Sequence, residues 1–168
     1  DGIDQNCDGA DSSFSDWLGD LNLYTDTVAN TFCDSYNTIA GDLYIEMYQL
    51  TANSTAFLDC LETVSGSVYV EGDGSTEFSF ASLETVGEEL YLEDGVSLSF
   101  PSLTSVEDDL QVYGASGVVD GSSFPVLETV GQGLYFEYSS LTEIDGFQSL
   151  AEVGDSVSIG NNSSLTTL

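Results

Sequence analysis

The residues whose spacing most plainly suits chemistry stand at the amino end: Asp4-Gln5-Asn6-Cys7-Asp8-Gly9 fits the pattern D-x-[DN]-x-D-G. Oxygen side chains at alternate positions in such a loop converge on one hard cation, and the glycine allows the tight turn. Calcium is the natural ion, with Asp4, Asn6, Asp8 and Asp11 as its expected ligands. Counting on through a twelve-residue loop lands on Ser15 rather than Glu, so a helical EF-hand is not expected, and Asp11 or Asp16 would have to supply the late ligands. The alternative is an acidic, solvated linker. Copper fits less well, because the chain has no His and a single Met. A second chemical candidate is the pair Asp108 and Asp109, since polysaccharide hydrolases use clustered acids. One pair among 30 carboxylates is weak support, and no Lys or Arg is present to orient an anionic sugar.

The lack of cations excludes more. The chain has 168 residues, 30 Asp plus Glu and no Lys, Arg or His, for a formal net charge of −30. Ser/His/Asp triads, Schiff-base lysines, P-loop lysines and arginine clamps are ruled out, and the chain reads as a non-enzyme. Nucleic acid and anionic membranes are poor partners for such a surface. Self-repulsion opposes compaction unless salt or divalent cations screen it. The hydrophobic fraction of 41 % nevertheless supports a real core in one domain. No window approaches ~18 consecutive apolar residues, so membrane insertion is not expected. The first residues lack the basic and apolar regions of a signal peptide, and the chain reads as a mature, soluble segment. Cys7, Cys33 and Cys60 make an odd count, which in an exported protein implies one internal bridge and one thiol paired elsewhere.

The elements that must position these groups follow from an internal repeat. A strand-like phrase recurs as GDLYIE (41–46), GSVYVE (66–71), EELYLE (88–93), DDLQVY (108–113), QGLYFE (132–137) and DSVSIG (155–160). A second precedes the later strands: FLDCLETV, FASLETV, FPSLTSV, FPVLETV and FQSLAEV. A third, weaker one follows them as VSLSF, SLTEI and SLTTL. Alternation within each phrase puts one row inside and the other on the surface. The period is too short for a helical crossover at every step, and no intervening segment shows helical periodicity. The expected fold is all-β, a parallel β-helix or leucine-rich-like solenoid of about five to six coils.

Inward positions are then Leu43 and Ile45, Val68 and Val70, Leu90 and Leu92, Leu110 and Val112, Leu134 and Phe136, Val157 and Ile159. Phe80, Phe100, Phe124 and Phe147 should form a corner column, and Gly41, Gly66, Gly87 and Gly154 should serve the corners. Outward positions give one column of Tyr44, Tyr69, Tyr91, Gln111 and Tyr135, and another of Glu46, Glu71, Glu93, Tyr113 and Glu137. With rungs ~4.8 Å apart this is an aromatic ladder beside an acidic one. It is a candidate partner-binding face for a glycan, a protein or calcium; equally, tyrosine favours strands and stacks well on a sheet.

The phrases running from TI-GDLYI through CLETV-GSVYV to FPSLTSV-DDLQVY resemble the receptor L-domain, found in growth-factor receptor ectodomains and in fungal and bacterial surface proteins. The resemblance spans about residues 30–168 and implies a right-handed β-helix; it also places Cys33 and Cys60 one coil apart, within reach of a disulfide, against the alternative of two buried thiols. The phrase DGIDQNCDGAD is similar to the Asp- and Cys-rich metal-binding motif of MopE-related secreted proteins. A cysteine often precedes the first DG in that family, which would account for the odd Cys7.

These readings divide the chain into an acidic calcium-type loop (1–16), an amino-terminal cap (17–40) and the solenoid (41–168). Trp17, Leu18, Leu21, Leu23, Val28 and Phe32 supply the apolar cover of the cap, with a short helix expected around 26–36. NNSSLTTL stops inside a repeat phrase with no capping sequence, whereas solenoid ends normally carry one, so the last coil is expected either to continue in further sequence or to stack on another subunit. Asn53, Asn161 and Asn162 satisfy the N-x-[ST] rule. The expected function is a non-catalytic, secreted or cell-surface structural module, part of a larger extracellular protein or filament. Calcium would stabilise it, and it would associate with itself or another extracellular protein through solenoid ends or surfaces. The alternatives are a glycan- or protein-binding adhesion module using the Tyr/Glu ladder and, more remotely, a polysaccharide hydrolase.

Overall fold

The computed structural model describes residues 14–24, 28, 31–50, 55–120 and 122–168. They form a parallel β-solenoid of about six turns. The first face is a seven-stranded sheet of β1 (Ser15–Trp17), β3 (Tyr36–Ile39), β5 (Thr63–Val64), β7 (Thr85–Val86), β9 (Ser105–Val106), β12 (Thr129–Val130) and β15 (Glu152–Val153). The second is a seven-stranded sheet of β2 (Leu21–Leu23), β4 (Leu43–Glu46), β6 (Val68–Ser79), β8 (Leu90–Ser99), β10 (Leu110–Tyr113), β13 (Leu134–Glu137) and β16 (Val157–Gly160). On the third face β11 (Ser116–Val119) pairs with β14 (Ser140–Ile144), and the carboxyl halves of β6 and β8 pair with each other.

The register is the one that the repeated phrases require. Leu43 pairs with Val68, Val68 with Leu90, Leu90 with Leu110, Leu110 with Leu134 and Leu134 with Val157. Both inward columns of the second face are buried from Leu43 through Phe136. The first face contributes Ile39, Val64, Val86, Val106 and Val130, each at 0 % exposure, the valines being the last residue of the ETV-type phrase. The corner phenylalanines stack at centroid distances of 5.4, 5.1 and 5.2 Å from Phe80 through Phe100 and Phe124 to Phe147. Burying each such side chain stabilises the fold by roughly 1.5–3 kcal/mol, so these columns dominate its cohesion.

Three expectations need correction. The sheets begin at Ser15 and Leu21, inside the stretch read as loop and cap, because β1 and β2 already pair with the next coil. Leu18, read as apolar cover, is 84 % exposed; in the stretch where a short helix was expected, Val28 is helical and partly buried and a 3-10 turn follows at Phe32–Asp34. Val157, read as inward, is 57 % exposed: it lies on the outermost strand of its sheet, with no further strand stacked beyond it. The expected calcium ligands Asp4, Asn6, Asp8 and Asp11 lie outside the described residues.

The corner glycines serve close approach rather than a left-handed backbone. A Cβ on Gly131 would sit 1.8 Å from the carbonyl oxygen of Glu107, and one on Gly154 would sit 1.9 Å from that of Gly131. Any side chain there would push neighbouring coils apart. Cys33 and Cys60 are joined by a disulfide with a Cα–Cα distance of 5.7 Å, tying the approach to β3 to the approach to β5. Closing a loop with 27 residues of sequence separation stabilises the fold by about 3–4 kcal/mol in the chain-entropy account. Gly131→Ala is expected to destabilise the protein by roughly 1–3 kcal/mol, as overpacking does. Gly74→Ala is the contrast, since its φ of +79° strains any side chain but no atom lies within 4 Å. Denaturant unfolding of both variants, with a changed m-value only for Gly131→Ala, would separate rung displacement from backbone strain.

Candidate functional site

The outward residues of the second face make the most concentrated constellation of chemical groups. Strand pairing sets Tyr44 beside Tyr69, Tyr69 beside Tyr91, Glu46 beside Glu71 and Glu71 beside Glu93. Tyr44 and Tyr69 stack at 4.9 Å with their planes 9° apart, and Tyr69 and Tyr91 follow at 6.1 Å, tilted by 46°. The line of rings then leaves its column. Gln111 occupies the next tyrosine position and directs its amide to Glu89 and Asp109. Tyr91 stacks instead on Tyr113 at 5.5 Å, and Tyr113 on Tyr138 at 6.5 Å. Tyr135 stands apart, its hydroxyl 3.2 Å from that of Ser156, while Glu137 accepts from Ser158 at 2.8 Å.

Tyr138 escaped the sequence reading because it follows the strand phrase rather than belonging to it. It occupies a corner where the chain turns with positive φ, as do Asp94, Gly114 and Asn161 in the other coils. The available signal was Gly72, Asp94, Gly114 and Asn161, types that tolerate this conformation, at the residue after four of the six strand phrases.

Most phenols on this face are already engaged. Tyr44 donates to Asp42, Tyr69 to Glu89 and Tyr91 to Glu93, each at 3.0 Å, and Tyr48 donates to Glu46 at 2.7 Å. The hydrogen bond to Asp42, then burial, pushes the Tyr44 phenol up to about 12. Burial, then the bond to Glu93, pushes that of Tyr91 up to about 12. A groove of about 220 Å³ runs between the two columns, walled by Tyr44, Tyr69 and Tyr91, by Glu46, Glu71 and Glu93, and at one end by Tyr24. Loss of hydration, then the charges of Glu93 and Glu46, raises the Glu71 carboxyl above its ordinary range.

Asp108 and Asp109 act as corner clamps. Asp108 accepts from the Gln132 amide and Asp109 from the Gly133 backbone N–H, each at 2.7 Å. The same device recurs where Asp42 accepts from the Ser67 N–H at 2.8 Å and Asp20 from the Asp42 N–H at 3.1 Å. Asn162 is a clamp as well: it accepts from the Ser139 N–H at 3.0 Å and donates to the Phe136 carbonyl at 2.8 Å, so a glycan on its amide nitrogen would compete with that bond. Asn161 is exposed, and Asn53 lies outside the described residues. Among the described residues, no group of three or more Asp, Glu, Cys or His is arranged to hold a metal ion, and no helix is long and apolar enough to cross a membrane.

A second feature is the carboxyl-terminal end of the solenoid. Leu134, Phe136, Ile144, Phe147, Leu150, Val157, Ile159 and Leu168 line a concave surface of about 330 Å³, with Asp145 and Gln148 at its edge. Leu168 is 79 % exposed and Val157 57 %, whereas at the opposite end Leu21 and Leu23 are 2 % and 0 % exposed.

No family model matches the chain, and no curated protein or solved structure shows significant similarity to it.

A raised folded-state pKa at Glu71 means that the folded protein holds this proton more tightly than the unfolded chain. Its contribution to stability is therefore present at acid pH and lost as pH rises through the raised value. Asp73 and Asp120, held low by hydroxyl hydrogen bonds from Ser75 and Ser122, act in the opposite sense and lose their contribution as pH falls. Glu71→Gln is expected to stabilise the protein at neutral pH by roughly 0.2–1 kcal/mol, the scale of cross-strand like-charge pairs. The gain should shrink on acidification or added salt. Thermal unfolding across pH checks this, and a gain unchanged at acid pH would show that charge is not its source.

Proposed function

We propose that this chain is a non-catalytic structural module of a secreted or cell-surface protein, and that it assembles through the exposed apolar surface around Val157 and Leu168. The observation that carries this reading is the apolar end surface: Val157 is 57 % exposed, although its column mates Leu110 and Leu134 are 0 % and 5 % exposed. Contiguous exposed apolar surface marks an interaction site in a soluble protein. Charge supports the same end. Asp145 is the one charged residue among those lining this surface, so repulsion between two highly acidic molecules is modest there.

A pair that meets through this one surface uses it twice and closes on itself. Screening is a condition for such contact, given the net charge of −30. Calcium bound by Asp4, Asn6, Asp8 and Asp11 remains the proposed local source of such screening, supported by the spacing of those residues. The adhesion alternative draws support from the groove beside Tyr44, Tyr69 and Tyr91. It is the weaker reading, because those rings stack on one another and their hydroxyls are bonded to carboxylates. Hydrolysis by Asp108 and Asp109 is weaker still, since both carboxylates are engaged in holding the next coil.

Light scattering at high ionic strength, with calcium and then with chelator, tests the assembly. The expected result is twice the chain mass for the native protein and a monomer for Val157→Glu combined with Leu168→Glu. Both sites are exposed, so the double variant should keep its far-UV spectrum. A monomeric native protein at every concentration and salt level would reject the end contact.

A further inference from the structure

The tyrosine stack has a chemistry that end-to-end assembly does not use. Tyr44, Tyr69, Tyr91, Tyr113 and Tyr138 run through successive coils with ring centroids 4.9, 6.1, 5.5 and 6.5 Å apart. A phenol gives up an electron readily when its proton can leave at the same time. Three phenols in this stack have a carboxylate waiting at 3.0 Å: Asp42, Glu89 and Glu93. Among the described residues, which do not include Cys7, competing sites of oxidation other than tyrosine are withdrawn from this face. Met47, the only methionine, is 3 % exposed, Cys33 and Cys60 form a disulfide, and the only tryptophan, Trp17, packs against Phe32 and Tyr36 beside the first face.

The stack ends on Tyr138, which is 67 % exposed and has a φ of +53°. Its counterparts at the same corner are Asp94, Gly114 and Asn161. A bulky side chain in this conformation is disfavoured, and strain of this kind collects at functional positions. Backbone preference does not account for a tyrosine here.

We propose that the stack relays one-electron oxidation to Tyr138, and that Tyr138 is a site of dityrosine cross-linking between two copies of this chain, driven by a peroxide-dependent one-electron oxidant. Oxidation of a ring in the stack sends its electron to the oxidant and its phenolic proton to the bonded carboxylate. The next ring gives up an electron to refill the vacancy, and the first phenol recovers its proton from its carboxylate. The next phenol releases its own proton, to Glu89 from Tyr69, to Glu93 from Tyr91, and to water from Tyr113 and Tyr138, so the electron deficit moves along the stack. Two Tyr138 phenoxyl radicals then join through their ortho carbons, the two displaced ring hydrogens leave as protons, and both phenols re-form. Two tyrosines and one hydrogen peroxide thus give one dityrosine and two waters.

The test treats the full chain with a peroxidase and hydrogen peroxide at high ionic strength, followed by dityrosine fluorescence and peptide mapping after Glu-specific proteolysis. The cross-link is expected at Tyr138, in several-fold excess over Tyr48, which is comparably exposed at 53 % but lies outside the stack. Tyr113→Phe, which keeps the ring and removes the phenol, should lower coupling at Tyr138 several-fold and raise ring oxidation at Tyr69 and Tyr91. Tyr138→Asn should abolish the cross-link while raising the midpoint of unfolding. Coupling that follows exposure alone, is indifferent to Tyr113→Phe, or does not form would overturn the proposal. The end-contact variant Val157→Glu with Leu168→Glu serves as a control, because it removes the proposed assembly and leaves the stack intact.

Discussion

Cohesion in this molecule depends on coils resting on one another in register. With no Lys, Arg or His, no side-chain ion pair can form, and long-range electrostatics only push the coils apart. What holds them is short-ranged: backbone hydrogen bonds between parallel strands and apolar columns whose members touch only when the rungs are close. The Cβ-free contacts of Gly131 and Gly154 with the coil beneath set that closeness. Part of the acidity is turned to the same end, since Asp20, Asp42 and Asp109 accept backbone N–H groups from the following coil. A carboxylate that accepts a hydrogen bond from the next rung attracts it locally even as its charge repels at a distance.

The fold was legible because the same alternation recurs six times, and repetition turns a weak strand signal into a strong one. The inward columns from Leu43 to Phe136 needed no more than period two and a constant register. The first coil was harder to see. SDW and LNL carry too few residues to display the phrase, and their strand character comes from pairing with β3 and β4. Val157 shows the limit of pattern reading: its residue type says inward, but burial needs a neighbour on both sides, which a pattern within one strand does not report.

On the outer face the two columns were legible and the path of the rings was not. A column is a property of the backbone register, whereas ring stacking depends on which side chains share a size and a plane. Gln111 interrupts the one and thereby reroutes the other through Tyr113 to Tyr138. The acid pair at 108 and 109 illustrates the converse. Its composition suggested catalysis, but its position at a corner assigns both carboxylates to the neighbouring coil. Taken together, the chemistry-bearing groups of the described solenoid are mostly engaged in holding it together, and its least self-satisfied surface is the apolar end.

The position of the disulfide divides the molecule mechanically. In a solenoid each coil touches only its neighbours, so coils can be stripped one at a time from an open end. A pull on the carboxyl terminus would peel β16, β13, β10, β8 and β6 in turn, each releasing its length of slack. Peeling meets a covalent barrier at Cys60, which is fastened to Cys33. The chain between these cysteines cannot lengthen by more than the bridge allows. Under load the protein would therefore behave as an extensible series of coils on a short, inextensible base, with the boundary between them fixed by a single covalent bond.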